Sequence, residues 1–176
     1  IKAYKMADLA SLSGETYPFT ILTSSPRIRP APSIAKNYVI IQLRHFRNFD
    51  DNVRKKIAQQ CDLLIEKFGL NIKLLPFQKG SKNDTSILHK IFDQSEHKEK
   101  FEIMDYFENI SNLVEFISNA DLVISMRLHA GIISLLAGTP CIPISYMQKV
   151  GDFWSDFPEV KPVTILDFVG NNFINR

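Results

Sequence analysis

The sequence predicts an α/β domain built on a parallel sheet with helices on both of its faces. Short apolar runs rich in β-branched residues recur along the chain, as in strands that are buried on both sides. Helical patterns of about ten residues or more separate these runs, as crossover connections between parallel strands require. With 176 residues and 45% hydrophobic content, the chain is large enough to bury one core.

The first strand and helix are predicted from residue 38 onward. Residues 38–43 form an apolar run, and a polar loop follows it. Asp50 or Asp51 is a suitable N-cap for a helix whose apolar positions recur at nearly every fourth residue, and Gly69 is expected to end it. Those apolar positions are Val53, Ile57, Cys61, Leu64 and Phe68.

The same alternation continues through the rest of the chain, and it indicates a Rossmann-like domain over residues 38–176. Helices are predicted between the strands, one capped by Asp84, one that opens at residues 111–112 and one over residues 128–136 that ends at Gly138. The further predicted strands are residues 71–77, 101–104, 121–125, 141–145 and 163–166.

Residues 1–37 differ from the rest in pattern. They show little periodicity, and they contain Pro18, Pro26, Pro30 and Pro32. We therefore predict a connector with one short strand at residues 19–22.

Composition and motifs exclude several kinds of protein. Cys61 and Cys141 form neither a disulfide framework nor a metal-ligand set, which favours a reducing cytoplasm. No apolar run approaches the roughly 20 residues that cross a bilayer. The sequence also has no dense stripe of basic residues of the kind that binds nucleic acid. Glycine-rich phosphate loops, a hydrolase elbow and closely spaced histidines are all missing. We therefore expect no metal, no cofactor, no nucleic-acid partner and no membrane insertion.

Two of the few cations in the second part of the chain follow predicted strands. Residues 101–176 carry nine acidic residues but only four lysines or arginines, which are Arg127, Lys149, Lys161 and Arg176. Arg127 and His129 follow one predicted strand and open the next helix, while Lys149 follows the next strand. A helix N-terminus beside such cations suits a phosphate or carboxylate, and His129 could exchange protons near neutral pH.

Ordinary structural roles compete with this interpretation. Arg127 could pair with Asp121 or Asp152, Lys149 could be a solvated turn residue, and His129 could be a surface residue. A plain helix cap is sufficient to explain Asp84. A second group of polar residues follows the first strand and ranks lower: Arg44, His45 and Arg47. Three aromatic residues near Lys149 could stack on a sugar ring or pack in the core: Tyr146, Phe153 and Trp154.

Residues 121–149 contain an ordered series of motifs. An Arg-Leu-His core at residues 127–129 is followed by Gly-Thr-Pro at residues 138–140 and by a strand that leads into Tyr-x-x-Lys at residues 146–149. As a whole, this pattern resembles the polysaccharide pyruvyl transferase family. A looser similarity extends over residues 38–154.

The resemblance implies the C-terminal half of a two-domain glycosyltransferase-like fold, with residues 1–37 as the connector to, and remnant of, a missing N-terminal domain. Family members move a pyruvyl group from phosphoenolpyruvate, a donor substrate rather than a cofactor, to two hydroxyls of a bacterial cell-surface or exopolysaccharide sugar. A ketal forms and phosphate is released. Arg127, the Leu128 backbone and Lys149 are thereby expected to bind the donor, with Arg44 beside them, and His129 is expected to transfer protons.

Two other interpretations stay open. One is the donor-binding half of a nucleotide-sugar glycosyltransferase, for which Glu159 is a weak candidate for the acid beside the ribose. The other is a non-catalytic anion- or sugar-binding module. Under the family interpretation the acceptor is a saccharide, free or lipid-linked, so the protein is expected in the cytoplasm or at the inner face of the membrane. Assembly into an oligomer is compatible with either location.

Overall fold

Six parallel strands and the helices that connect them make up the structure, a computed structural model that describes residues 37–46, 49–79, 84–158, 160–170 and 173. All of these residues belong to one compact unit, Ile34–Arg176. The predicted strand at residues 19–22 lies outside the described residues, as do Arg47, Glu159 and Arg176.

Strands and helices alternate along the chain as predicted. In order they are β1 (Tyr38–Gln42), α1 (Asp51–Phe68), β2 (Asn71–Leu74), α2 (Thr85–Gln94), a 3₁₀ turn (Lys98–Lys100), β3 (Phe101–Ile103), α3 (Ile110–Ser118), β4 (Leu122–Ser125), α4 (Leu128–Ala137), β5 (Cys141–Ser145), α5 (Gln148–Trp154), β6 (Val163–Thr164) and α6 (Ile165–Phe168).

The strand order is β3-β2-β1-β4-β5-β6, and every neighbouring pair is parallel. The chain therefore builds outward from β1 on one side, returns, and builds outward on the other side from β4. The point where the order reverses lies between β1 and β4, whose register aligns Gln42 with Ser125 at the carboxyl end. Loops diverge at such a point and leave a crevice for a ligand.

Apolar side chains cover both faces of the sheet, as the sequence predicts. On one face, Ile41 belongs to a cluster with buried residues of α1 and α2 such as Ile57 and Leu88. On the other face, the adjacent Ile40 packs in a cluster with Leu113 and other residues of α3 and α4. Alternate residues of β1 thus enter opposite layers, which is the pattern of a strand buried on both sides.

The ends of α1 follow the predicted signals. The side chain of Asp50 accepts a hydrogen bond from the Val53 N–H at 2.8 Å, which caps the helix. At the other end, Gly69 adopts a left-handed backbone with φ of 66° and donates its N–H to the Ile65 carbonyl.

Two predicted strands are shorter in the structure than expected, and one helix is additional. Strand β2 ends at Leu74 rather than at residue 77, because Pro76 has no N–H with which to continue the ladder. The last predicted strand stops at Thr164, whose side chain forms a capping box with Asp167 and starts α6. Helix α5 was not predicted, since its seven residues are too few to show a periodic pattern. No described helix combines the length and the apolar character that crossing a bilayer requires.

Candidate active site

Four polar side chains meet where the strand order reverses, at the carboxyl ends of β1 and β4 and the start of α2. Gln42 is the last residue of β1, Ser125 is the last residue of β4, Asp84 directly precedes α2, and Arg127 holds the N-cap position of α4. Gln42, Ser125 and Asp84 are buried. A connected set of hydrogen bonds links all four, so the site is built from distant parts of the sequence.

Gln42 is at the centre of this set. Its Oε1 accepts hydrogen bonds from the Arg127 N–H at 2.8 Å and from the Ser125 hydroxyl at 3.1 Å. Its Nε2 donates to the Leu43 carbonyl at 3.0 Å and to Asp84 Oδ2 at 3.4 Å. A fully buried amide is stable here because both its oxygen and its nitrogen have partners.

Arg127 forms a two-pronged ion pair with Asp84. Its Nε donates to Asp84 Oδ2 at 2.8 Å, and its Nη2 donates to Asp84 Oδ1 at 2.6 Å. Nη2 also donates to Gln78 Oε1 at 2.6 Å. The Asp84 side chain is 1% exposed and that of Arg127 is 19% exposed. This pairing is charge-assisted in both prongs and fixes the plane of the guanidinium.

The ion pair corrects two expectations from the sequence. The partner of Arg127 is Asp84, not Asp121 or Asp152. Asp84 is also not a plain helix cap, since its side chain makes no cap hydrogen bond and its backbone is already helical. The carboxylate instead accepts the Phe77 N–H at 2.9 Å as well as the arginine.

Arg44 is held in a different way at the end of β1. Its Nη1 donates to the hydroxyl of Tyr146 at 2.8 Å, and its guanidinium carbon lies 5.3 Å from the centre of the Tyr146 ring. The ring of Phe46 meets the same tyrosine edge to face at 5.3 Å. Within the described ranges, no carboxylate forms an ion pair with Arg44.

His129 and Lys149 are exposed side chains on two successive helices. His129 is the second residue of α4, and Lys149 is the second residue of α5. Because β4 and β5 are adjacent and parallel, both helices begin at the same edge of the sheet as Arg127. The two residues therefore occupy the edge that the sequence predicts.

The start of α4 has no side-chain cap. Arg127 holds its N-cap position, yet its side chain makes no cap hydrogen bond. The N–H groups of Leu128 and His129 in the first turn are therefore left without a cap acceptor. Together with the partial positive charge of a helix N-terminus, these donors suit a phosphate or a carboxylate.

Trp154 belongs to the core and not to a sugar-stacking surface. It is 1% exposed and packs with Val150 and Val160, while Leu128 of α4 contacts the same cluster. Of the two roles that the sequence allowed for this ring, core packing is therefore the correct one. Among the described residues, no group of three or more histidine, cysteine, aspartate or glutamate side chains could hold a metal ion.

Sequence reasoning missed Gln42, Gln78 and the pairing role of Asp84. The available signal was weak: Gln42 is a polar residue that ends an apolar run, and Asp84 follows a strand and its loop. Neither position reveals its partner, because Gln42 and Arg127 are 85 residues apart and Asp84 and Arg127 are 43 apart.

The fold is similar to that of solved sugar-nucleotide enzymes. UDP-GlcNAc 2-epimerase from Methanocaldococcus jannaschii gives a TM-score of 0.59 at 16% identity, covering 77% of this chain and 37% of that one. UDP-GlcNAc 2-epimerase from Neisseria meningitidis, bound to UDP-GlcNAc, gives 0.57 at 13% identity, covering 96% of this chain and 41% of that one. The chain thus spans less than half the length of these structures. The likeness confirms the predicted glycosyltransferase-like fold class.

Sequence comparison identifies the family. No curated protein gives a significant match. The family model described as polysaccharide pyruvyl transferase matches residues 1–148, which include β1, the Asp84–Arg127 pair and the Arg-Leu-His segment. The chain therefore belongs to the polysaccharide pyruvyl transferase family.

Proposed function

We propose that this chain binds the donor in a pyruvyl transferase that moves a pyruvyl group from phosphoenolpyruvate to a sugar of a bacterial cell-surface polysaccharide. The observation that carries the proposal is the location of the Arg-Leu-His segment. It lies within the residues that match the family, and it follows β4 at the point where the strand order reverses.

The donor has a carboxylate and a phosphate, and the site offers several groups that bind anions. Arg44 and Lys149 supply positive charge, and the first turn of α4 supplies backbone N–H groups at Leu128 and His129. Arg127 keeps the two N–H bonds of Nη1 free of partners among the described residues. This combination of point charge and fixed hydrogen-bond donors favours a small anion with two acidic groups.

In the reaction, a proton is added to the methylene carbon of phosphoenolpyruvate, and a sugar hydroxyl attacks the adjacent carbon, which bears the phosphate. A second sugar hydroxyl then displaces phosphate from that carbon and closes the ketal. One hydroxyl proton is in effect transferred to the new methyl group, and the other leaves with phosphate. His129 is the proposed acid or base, since an imidazole changes charge near neutral pH.

The cations around the crevice contribute most as phosphate departs. Negative charge accumulates on the departing phosphate. Fixed N–H groups therefore lower the energy of this transition state more than they lower the energy of bound phosphoenolpyruvate. The exposure of His129 is suited to an acceptor that approaches from solvent. The two free cysteines, Cys61 and Cys141, suit a reducing compartment, so we assign the reaction to the cytoplasm or to the inner face of the membrane for a lipid-linked acceptor.

The test is phosphate release from phosphoenolpyruvate with a saccharide acceptor, with thermal-shift titrations in parallel. We expect phosphoenolpyruvate to raise the melting temperature more than a nucleotide-sugar does. His129→Ala and Arg127→Ala should slow phosphate release, whereas unchanged rates would disprove both assignments. A larger shift with the nucleotide-sugar would instead favour a glycosyltransferase donor site, and no response to either would favour a non-catalytic module.

A further inference from the structure

We propose that Asp84 is a positioning residue: it pairs with the Arg127 guanidinium, offsets its charge and fixes its orientation, and it leaves the Nη1 edge for the anionic substrate. This inference rests on the proposed function, and it assigns to Asp84 a role in that same site.

Asp84 and Gln78 use one side of the guanidinium and leave the other. A guanidinium carries five N–H bonds. The bond on Nε and the two on Nη2 are taken by Asp84 and Gln78. Both N–H bonds of Nη1 are without a partner among the described residues. Two parallel hydrogen bonds to one carboxylate fix the guanidinium plane, so the direction of these remaining donors is fixed too.

Gln42 holds the other end of the same side chain. Its Oε1 accepts the Arg127 backbone N–H at 2.8 Å, and its Nε2 lies 3.4 Å from Asp84 Oδ2. Backbone, guanidinium and carboxylate therefore form a closed ring of contacts around one buried amide. A free arginine samples many rotamers, and holding it in one orientation removes that ordering cost from the catalytic step.

The pair also cancels charge. Asp84 is buried, so its negative charge acts on Arg127 with little screening by water. Arg127 then contributes oriented hydrogen bonds, while the net positive charge that attracts phosphoenolpyruvate comes from Arg44 and Lys149. Removing the charge of Asp84 should therefore have two opposite effects: tighter binding of phosphate to a bare Arg127 cation, and slower turnover because the arginine is no longer oriented.

These opposite signs separate a positioning role from a purely structural one. A structural carboxylate would affect folding, and any loss of folded protein lowers binding and turnover together. A residue that acts through Arg127 also has no effect once Arg127 is gone, which a double-mutant cycle measures directly.

The experiment compares Asp84→Asn with Asp93→Asn, the same substitution at an exposed position of α2, and adds Arg127→Met and the double variant Asp84→Asn/Arg127→Met. Three quantities are measured: the side-chain Nε–H signal of Arg127 by NMR, the Kd for inorganic phosphate at several salt concentrations, and kcat with phosphoenolpyruvate. We expect Asp84→Asn to lose the ordered Nε–H signal and to bind phosphate more tightly with a steeper salt dependence. Its kcat should fall about a hundredfold. Asp93→Asn should match the wild type.

In the Arg127→Met background, Asp84→Asn should change neither kcat nor phosphate affinity. An Nε–H signal that survives in Asp84→Asn, weaker phosphate binding in that variant, or additive losses in the double variant would each overturn the proposal. If Asp84→Asn does not fold, the comparison of the double variant with Arg127→Met decides whether Asp84 acts through Arg127. The double variant is expected to fold because it has no unpaired buried charge. If the wild type releases no phosphate from phosphoenolpyruvate, the proposed function fails, while the NMR signal and the phosphate titration still judge the role of Asp84.

Discussion

A Cβ atom on Gly131 would lie 2.5 Å from Cζ2 of the Trp154 ring, closer than side chains can approach. Gly131 lies in the first turns of α4, two residues after His129, and Trp154 is the last residue of α5, which carries Lys149. The missing side chain thus lets the tryptophan ring lie directly against α4. This contact fixes the spacing of the two helices that bear the proposed acid or base and one of the proposed donor cations.

Gly131→Ala should destabilise the protein and weaken the site. The added methyl forces the Trp154 ring and α5 outward, a type of overpacking that costs about 1–3 kcal/mol. We expect a lower denaturation midpoint in urea and weaker phosphate binding, because Lys149 moves with its helix.

A glycine within α5 provides the control for this change. A Cβ on Gly151 would lie 3.4 Å from the Ser145 hydroxyl, which is ordinary contact. Alanine is the better helix former, so Gly151→Ala should be neutral or stabilising by up to about 1 kcal/mol. Equal destabilisation by both substitutions would contradict the role given to the Gly131–Trp154 contact.

Tyr146→Phe should weaken anion binding through Arg44 alone. The substitution removes the hydroxyl that accepts from Arg44 at 2.8 Å but keeps the ring beneath the guanidinium. The loss of one such hydrogen bond is worth about 1 kcal/mol, which corresponds to a several-fold higher Kd for phosphate by calorimetric titration. Tyr106→Phe, at an exposed tyrosine, is the matched control. A similar loss in an Arg44→Met background would show that Tyr146 does not act through Arg44.

Stability should depend on pH through His97. The pKa of His97 is raised, first by its hydrogen bond to Glu66 at 3.0 Å and further by the nearby carboxylates of Asp62 and Glu99. A raised folded pKa means that the protonated histidine stabilises the fold below its unfolded pKa of about 6.5, and that this contribution is lost as pH rises through the folded value.

The stability difference between the wild type and His97→Gln should therefore be larger in mildly acidic solution than in alkaline solution. Urea denaturation across this pH range measures it, with His89→Gln at an exposed histidine of α2 as the control. A difference that does not change with pH, or that grows as pH rises, would contradict the assigned pair.

Both cysteines should resist alkylation in the folded protein. Burial raises the pKa of the Cys141 thiol to about 12, and it raises that of Cys61 as well, with a smaller contribution from the charge of Asp62. Because the thiolate is the reactive form, iodoacetamide should modify neither residue at neutral pH until denaturant is added. Peptide mass spectrometry after timed labelling gives the two rates, and rapid labelling of native Cys61 would contradict the packing of α1 against the sheet.

The sequence predicts those features of this protein that depend on neighbouring residues. Apolar runs locate the strands, Asp50 and Gly69 mark the ends of α1, and scarce cations after strands point to the correct edge of the sheet. The partners within the site depend instead on contacts between distant segments. Asp84 would serve as a plain helix cap in another fold. It is an ion-pair partner here because this fold places Arg127, which follows β4, beside it.

For the same reason, the local sequence pattern does not predict helix α5. Its seven residues show no periodicity, and its position depends on the fit of Trp154 against Gly131 across two helices. A lone glycine within an apolar helix does not reveal which ring it accommodates.

The most direct test of phosphoenolpyruvate binding at this site is an NMR titration of the ¹⁵N-labelled chain with that compound. We expect the largest amide shifts at Arg127, Leu128 and His129, with further shifts near Arg44 and Lys149. UDP-GlcNAc at the same concentration should have weaker effects. Shifts confined to other parts of the chain, or a stronger response to UDP-GlcNAc than to phosphoenolpyruvate, would contradict a phosphoenolpyruvate site at the junction of β1 and β4.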